Sequence, residues 1–310
     1  MRAFAIPLRT RFRRTNLREG VLLHGECGWG EWSPFPEYPP PVAARWLAAA
    51  REAASTPWPT PVRDTIPVNV TVPAVDPQQA AAIVAGSGCA TAKVKVAEPG
   101  QTFDEDLARI EAVRDALGPE GRLRIDANAA WTVDEAAANL RWLSHFDLEY
   151  AEQPVATLSE MAALRRRIDV PLAADEVVRL ASAPTRIAGL AEAADVVVLK
   201  VQPLGGVWPA LRVAEACGLP VVVSSALETS VGIAAGLALA AALPELPYAC
   251  GLATVQLLSA DLVADPLLPT DGAIAVRRPD VDERRLAAVE LTGDDRLPWE
   301  LRLIAAEAAA

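Results

Sequence analysis

From about residue 66 the chain alternates between short β-branched apolar runs and longer Ala- and Leu-rich stretches with helical spacing. The short runs are "PVNVTV" (67–72), "AKVKV" (92–96), "RLRID" (122–126), "LEYAE" (148–152), "PLAAD" (171–175), "DVVVLKV" (195–201), "PVVVSS" (220–225) and "YACGL" (248–252). Near-continuous apolar runs of this length are typical of parallel strands covered on both faces. Between them, "PQQAAAIVAG", "DEDLARIEAVRDAL", "VDEAAANLRWLSHF", "SEMAALRRRI", "APTRIAGLAEA", "WPALRVAEACG" and "VGIAAGLALAAAL" read as helices. Thr132 and Glu135 have the spacing of a capping box, and Gly218 is a helix stop. Eight strands alternating with seven helices predict an α/β fold of the (β/α)-barrel type. An open doubly wound sheet is the alternative on pattern alone.

Residues 1–65 follow a different pattern. Turn-rich "VLLHGECGWGEWSPFPEYPPP" contains two strand-like pieces and precedes a helix, "PVAARWLAAAREAAS". A small α+β unit is expected there, with "GWGEWSPFPEYPPP" an ordered loop rather than a linker. Residues 283–310 hold further Leu- and Ala-rich, helix-like stretches.

Composition narrows the function. With 310 residues, 52% of them hydrophobic, the chain can bury a large core. A net charge of −11 argues against nucleic acid and anionic membranes as partners, but not against a locally positive small-molecule site. The four cysteines, Cys27, Cys89, Cys217 and Cys250, are far apart in apolar surroundings and read as buried thiols, not disulfides or a zinc site. "MRAFAIPLRTRFRR" lacks the apolar core of a secretory signal, and the apolar run ending at Pro244 is too short to span a bilayer. A cytoplasmic location is expected. His24 and His145, the only histidines, read as structural, and the eight tryptophans read as packing residues.

The chemistry lies at the strand ends. Lys93 and Lys95 share one face of a strand, because residues i and i+2 point the same way. The next strands end in Asp126, Glu152, Asp175, Lys200 and Ser225, spaced by 23 to 31 residues, about one βα unit each. Successive units therefore deliver a polar residue to the C-terminal face of the barrel, where barrel enzymes keep their sites. Three converging carboxylates need a compensating cation, and an all-oxygen set suits Mg²⁺ or Mn²⁺ better than zinc. A lysine beside such a cation has a lowered pKa and can serve as a base. Taken singly, K-x-K also fits a solvated strand face, and an acid after a strand also fits a helix N-cap. The series of matched ends is far more specific than any one of them. "PLGGVWP" after Lys200 reads as a tight turn, with a phosphate cradle as the weaker alternative.

"KVK", "DANAAW", "EQP", "DE" and "LKVQPLGG", in this order and each at a strand end, resemble the muconate-lactonizing subgroup of the enolase superfamily. The N-terminal "GWGEWSPFPEY" resembles the capping domain of the o-succinylbenzoate synthases within it. The resemblance covers nearly the whole chain. It implies a modified (β/α)₇β barrel over residues 66–282, capped by residues 1–65 together with a C-terminal segment of about 283–310. It implies Asp126, Glu152 and Asp175 as Mg²⁺ ligands and Lys95 as the general base. Lys93 would contact the substrate carboxylate and support Lys95, Lys200 would face them from the opposite side, and Asn128 would be a supporting polar residue. Ser224, Ser225 and Gly251 would offer polar groups, backbone N–H included, to a second carboxylate.

The implied reaction is dehydration of 2-succinyl-6-hydroxy-2,4-cyclohexadiene-1-carboxylate to o-succinylbenzoate, a step of menaquinone biosynthesis. The sequence departs from the family at Val177, where Ser is frequent after "DE". "SSALETS" lacks the histidine of mandelate racemases, and Ala253 stands where dipeptide epimerases carry an acid. N-acylamino-acid racemase and muconate cycloisomerase remain as alternatives, followed by a Schiff-base aldolase using Lys200 and a non-catalytic binding barrel. A loop near Thr15–Gly20, flanked by Arg13, Arg14 and Arg18, is expected to shield the site, its arginines attracting a dianionic substrate or standing solvated. Oligomeric state is not fixed by the sequence.

Overall fold

The computed structural model describes residues 1–310. The chain opens with an antiparallel sheet of β1 (Arg2–Phe12), β2 (Thr15–Gly25) and β3 (Gly28–Trp32). Helix α1 (Pro40–Ser55) lies across this sheet and buries Trp46, Leu47 and a row of alanines. The approach is so close that a Cβ on Gly30 would lie 1.9 Å from the Ala50 carbonyl oxygen. Only glycine fits there. Trp32 reaches over to donate to the Ala43 carbonyl at 3.0 Å.

After β4 (Thr65–Pro67), seven parallel strands curl in chain order: β5 (Val70–Val72), β6 (Thr91–Lys95), β7 (Arg122–Asp126), β8 (Leu148–Glu152), β9 (Leu172–Ala174), β10 (Val196–Leu199) and β11 (Val221–Val223). The connecting helices are α2 (Pro77–Ala85), α3 (Phe103–Leu117), α4 (Val133–Leu143), α5 (Leu158–Arg165), the single turns α6 (Glu176–Arg179), α7 (Leu190–Ala193) and α8 (Val201–Leu204), then α9 (Val207–Cys217) and α10 (Ser230–Ala242). Full capping boxes open α3, α4 and α5, the α4 box being the predicted Thr132–Glu135 pair. β12 (Ala273–Ala275) pairs antiparallel with β4. α11 (Glu283–Ala287) and α12 (Leu297–Ala308) return to the N-terminal sheet, where Trp299 meets Trp32 edge to face at 5.6 Å.

Strand parity decides what faces inward. Outward residues such as Val94, Ile125, Leu172 and Val197 join the main core under the helices. The alternate residues Tyr150, Ala173, Val196, Val198 and Val222 form a separate cluster, which fills the barrel lumen. Arg124 is buried at the lumen floor, 4.7 Å over the Tyr150 ring, and binds Glu149, Asn69 and the Ala249 carbonyl. Two residues further along β7, on the same face, is Asp126.

Four expectations need correction. "PVNVTV" is not one strand: the Val68 amide donates to Gly272 and the Asn69 amide to Cys250, so the run splits between two partners. "YACGL" shrinks to Cys250–Gly251, which nevertheless closes the barrel through bridges to Val68 and Ser224. "APTRIAGLAEA" yields only α7, which begins after Gly189 with its φ of +80°. Of the four free thiols, Cys89 and Cys250 are buried but Cys27 and Cys217 are part-exposed. The apolar run before Pro244 is α10, buried nearly all round, and no helix is long and apolar enough to cross a membrane.

Gly30→Ala is expected to lower unfolding stability by about 1–3 kcal/mol, the usual cost of overpacking, read as a lower urea midpoint.

Candidate active site

The strand register brings the polar ends together. Lys95 is paired with Asp126 across β6 and β7, and Asp126 with Glu152 across β7 and β8. Asp175 lies two residues beyond Ala173, the partner of Glu152, and so points the same way. β10 lies four strands from β6 in the order, which in a closed barrel of eight staves is the opposite wall. Lys200, just past β10, therefore faces Lys93 and Lys95 across the lumen.

Ion pairs interlock these groups. The Lys93 ammonium is 2.6 Å from Glu152 and 3.5 Å from Asp126. Lys95 binds Asp126 and donates to Asn128 Oδ1 at 2.6 Å. Lys200 lies 2.6 Å from Asp175. Burial disfavours charge on Lys93, but Glu152 and Asp126 outweigh it and hold its pKa well above the usual lysine value. For Lys95 burial wins, and its pKa is lowered. Asp126 is also opposed by burial, yet Lys95, Lys93 and Lys200 hold it far below the carboxylate range. Glu152 goes the other way, pushed up to about 7 by burial and by Asp126, because its ammonium partner is shared.

The acids do not by themselves close into a metal cage, since ammonium groups hold each of them. The donor set nevertheless fits a hard divalent cation: three buried carboxylates stand at the ends of three neighbouring strands, and Glu152 Oε1 has no hydrogen-bond partner.

A narrow cavity of about 30 Å³ opens above them. Lys93, Lys95, Asp126, Asn128 and Lys200 line it from below, Ser224, Ser225 and Gly251 from the side. Glu152 and Asp175 lie deeper, behind their lysines. The backbone amides expected to bind a carboxylate are already engaged. Ser224 N donates to Leu199, Ser225 N to Gly251 and Gly251 N to Val223. Only the two hydroxyls remain there, that of Ser224 donating to the Gly251 carbonyl at 3.4 Å and that of Ser225 sharing a hydrogen bond of 2.7 Å with Thr254.

The expected loop at Thr15–Gly20 is part of β2, and the shielding element is instead the β1–β2 hairpin tip. Arg13 and Arg14 form that tip, with φ of +48° and +64°. Its Phe12 and Arg13 line the cavity, and the Phe12 ring lies 5.4 Å from the Lys95 ammonium. Arg14 is exposed, and Arg18 is buried away from solvent.

Two supporting residues were missed from the sequence. Arg179 donates to Asp175 at 3.1 Å, to Glu176 at 2.8 Å and to the Tyr38 hydroxyl at 2.5 Å. Its position four after Asp175 on a helical turn was a readable signal. Gln153, of the quoted "EQP", receives the Asp175 amide at 3.0 Å and so clamps the end of β8 to that of β9. "PLGGVWP" is a turn with Gly205 and Gly206 at positive φ. The amides opening α9 are taken by the Glu52 carboxylate, at 2.6 and 3.1 Å, which leaves no phosphate cradle.

Two family models match the chain, "Enolase N-terminal domain-like" over residues 3–54 and "Enolase C-terminal domain-like" over residues 76–280. The chain is 66% identical to the o-succinylbenzoate synthase of Thermobifida fusca, over 99% of this chain and 96% of that one. The o-succinylbenzoate synthase of Mycobacterium ulcerans is 52% identical over 96% of this chain and 90% of its own. The chain belongs to the o-succinylbenzoate synthase family of the enolase superfamily.

Solved structures of this superfamily share the fold. The muconate lactonizing enzyme of Pseudomonas fluorescens superposes with a TM-score of 0.80 at 22% identity, covering 94% of this chain and 97% of that one. The L-Ala-D/L-Glu epimerase of Bacillus subtilis gives 0.75 at 23% identity, covering 90% and 95%. The modified barrel with its α+β cap is thus the architecture of the o-succinylbenzoate synthase family chain described above, and members of its superfamily use Mg²⁺.

Lys93→Met leaves Glu152 buried beside Asp126 without its ammonium. In EDTA this is expected to cost about 3–5 kcal/mol of unfolding stability, the usual result of removing one partner of a buried pair. Adding Glu152→Gln should recover part of it.

Proposed function

We propose that this site dehydrates 2-succinyl-6-hydroxy-2,4-cyclohexadiene-1-carboxylate to o-succinylbenzoate, as a step of menaquinone biosynthesis, with Lys95 as the base. The reading rests on one observation above all: a chain 66% identical throughout to an o-succinylbenzoate synthase carries two buried lysine positions on opposite walls above three carboxylates.

Asp126, Glu152 and Asp175 would hold the divalent cation, Mg²⁺ with Mn²⁺ able to serve in its place. When bound it supplies positive charge to the substrate carboxylate as negative charge develops there. Lys95 Nζ takes the proton from the carbon bearing that carboxylate. Burial shifts its pKa downward, the direction a base requires, and Asn128 Oδ1 accepts a hydrogen bond from it. The C–O bond to the ring hydroxyl then breaks, Lys95 returns its proton to the departing hydroxyl, and water leaves as the ring becomes aromatic. Lys93, held by two carboxylates, stays charged and orients the substrate carboxylate. Lys200, from the opposite wall, stabilises developing negative charge on the ring face turned towards it. Arg13 and the Ser224 and Ser225 hydroxyls face the succinyl carboxylate from the cavity rim.

The division into a cap of residues 1–65 with about 283–310, and a barrel of 66–282, finds support in two apolar clusters, one joining Phe4, Trp32, Trp46 and Trp299, the other spanning the strands from Ile66 onward. The cap cluster also takes in Leu227, Val231, Leu258 and Leu262, so the barrel segment contributes to both.

N-acylamino-acid racemization is the second reading, since Lys95 and Lys200 both line the cavity and a two-base exchange needs a lysine on each face. A Schiff-base aldolase would use Lys200 but leave Lys93, Lys95 and the acids without a role.

The test is loss of the cyclohexadiene ultraviolet absorbance with Mg²⁺ and then with EDTA. Conversion that EDTA abolishes is expected. No conversion by folded protein, with racemization of N-acylamino acids in its place, would move the assignment to the second reading. Lys95→Ala should lower the rate at least about 10²-fold, and near-normal turnover would remove Lys95 as the base.

A further inference from the structure

One wall of the cavity is held from outside the barrel. Ala226 and Leu227 follow Ser224 and Ser225 at the end of β11 and line the cavity beside them. Leu227 has φ +66°, a conformation that a side chain with a Cβ rarely adopts and that persists only when its surroundings enforce it. The two carbonyls of this pair accept no backbone hydrogen bond. Both are taken by a single guanidinium, that of Arg18 on β2: Nε donates to the Leu227 oxygen at 2.8 Å and Nη2 to the Ala226 oxygen at 3.2 Å.

Arg18 is itself fixed. It is 2% exposed, stacks 4.7 Å over the Phe35 ring and donates to the Ser33 hydroxyl at 2.7 Å. Ser33 in turn donates to Glu31 at 2.6 Å and is bracketed by Gln202, two residues beyond Lys200, through contacts of 3.1 and 3.2 Å. Glu31 receives the amide and hydroxyl of Thr229 at 3.1 and 2.6 Å. The same cap residues therefore grip both ends of the Ala226–Thr229 turn and the helical turn that follows Lys200.

We propose that Arg18 is a positioning residue for the reaction: by holding the Ala226 and Leu227 carbonyls it keeps Leu227 in its left-handed conformation and so sets the substrate-facing wall of the cavity. The fork matters as much as the charge, because the Ala226, Leu227 and Ser33 carbonyls and the Ser33 hydroxyl must all be met at once from one planar group. The inference rests on the dehydration reading for its kinetic consequence but not for its structural one.

The test uses Arg18→Met, which keeps the apolar stem and removes the donors, and Arg18→Lys, which keeps charge without the fork. Each is made in the wild-type and the Leu227→Gly background. Two quantities are read: KM against kcat for the cyclohexadiene substrate, and amide hydrogen exchange across residues 224–229. Arg18→Met should raise KM about tenfold or more with a smaller change in kcat, since misplacing a binding wall by about an ångström is costly. It should also speed exchange in that segment beyond any global change, with Arg18→Lys intermediate. The KM effect should shrink when residue 227 is glycine, which takes positive φ without strain.

An unchanged KM with only a lower melting temperature would overturn the proposal, as would an equal KM loss in both backgrounds. If Arg18→Met does not fold, Arg18→Lys carries the same comparison. If the wild type turns over no substrate, the dehydration reading fails alone. Exchange then decides for Arg18: selective acceleration at 224–229 supports its hold on the turn, and unchanged exchange refutes it.

Discussion

Charge balance at the top of the lumen is the constraint on which the rest depends. Asp126, Glu152 and Asp175 are almost fully removed from water, and so are Lys93 and Lys200. No isolated charge survives such burial; each must find an opposite partner or neutralise. The parallel register supplies one pair directly, Lys95 with Asp126, while Lys93 reaches past β7 to Glu152 and Lys200 meets Asp175 from the next strand end. The uneven sharing has chemical consequences. Lys93 lies near two carboxylates, which hold its pKa up, whereas burial draws the Lys95 pKa down. Two residues of one type on one strand face thus meet different electrostatic surroundings.

The barrel alone does not complete the site. Its upper rim is built from single helical turns and bare loops, which lack the hydrogen bonds to hold themselves. Tyr38 steadies Arg179 behind Asp175, Glu52 caps α9, and Arg18 with Glu31 grips the turn after β11. These contacts join buried polar groups of both cores, so the cap is bound to the barrel by interactions that must be satisfied together rather than by apolar contact alone.

Most of the barrel was legible in the sequence because strand ends repeat at the length of a βα unit and because period-2 parity puts Lys93 with Lys95 and Arg124 with Asp126 on one face. The seven strands of the sheet were found, and all ten residues singled out for the site lie at or directly below one cavity. What stayed hidden depends on long-range pairing. Whether Val68 and Asn69 continue a strand is decided by Gly272 and Cys250, some two hundred residues away. The engagement of the Ser224, Ser225 and Gly251 amides follows from barrel closure, which no local pattern reports. Arg13, Arg14 and Arg18 look alike in the sequence, yet one lines the cavity, one faces solvent and one is a buried clamp.

The closure of the barrel is unequal around its circumference. Between β11 and β5 the seam is only Cys250–Gly251, fastened by four backbone hydrogen bonds to Val223, Ser225, Pro67 and Asn69. Ser224, Ser225, Gly251 and Thr71 all border the cavity along this seam, whereas the lysines and acids are carried by β6 to β10, inside the continuous sheet. The seam is also tightly packed, since a Cβ on Gly251 would fall 2.4 Å from Ser224 Oγ. Loosening at this narrow closure would therefore reach the cavity wall directly, and the charged groups only through the continuous sheet.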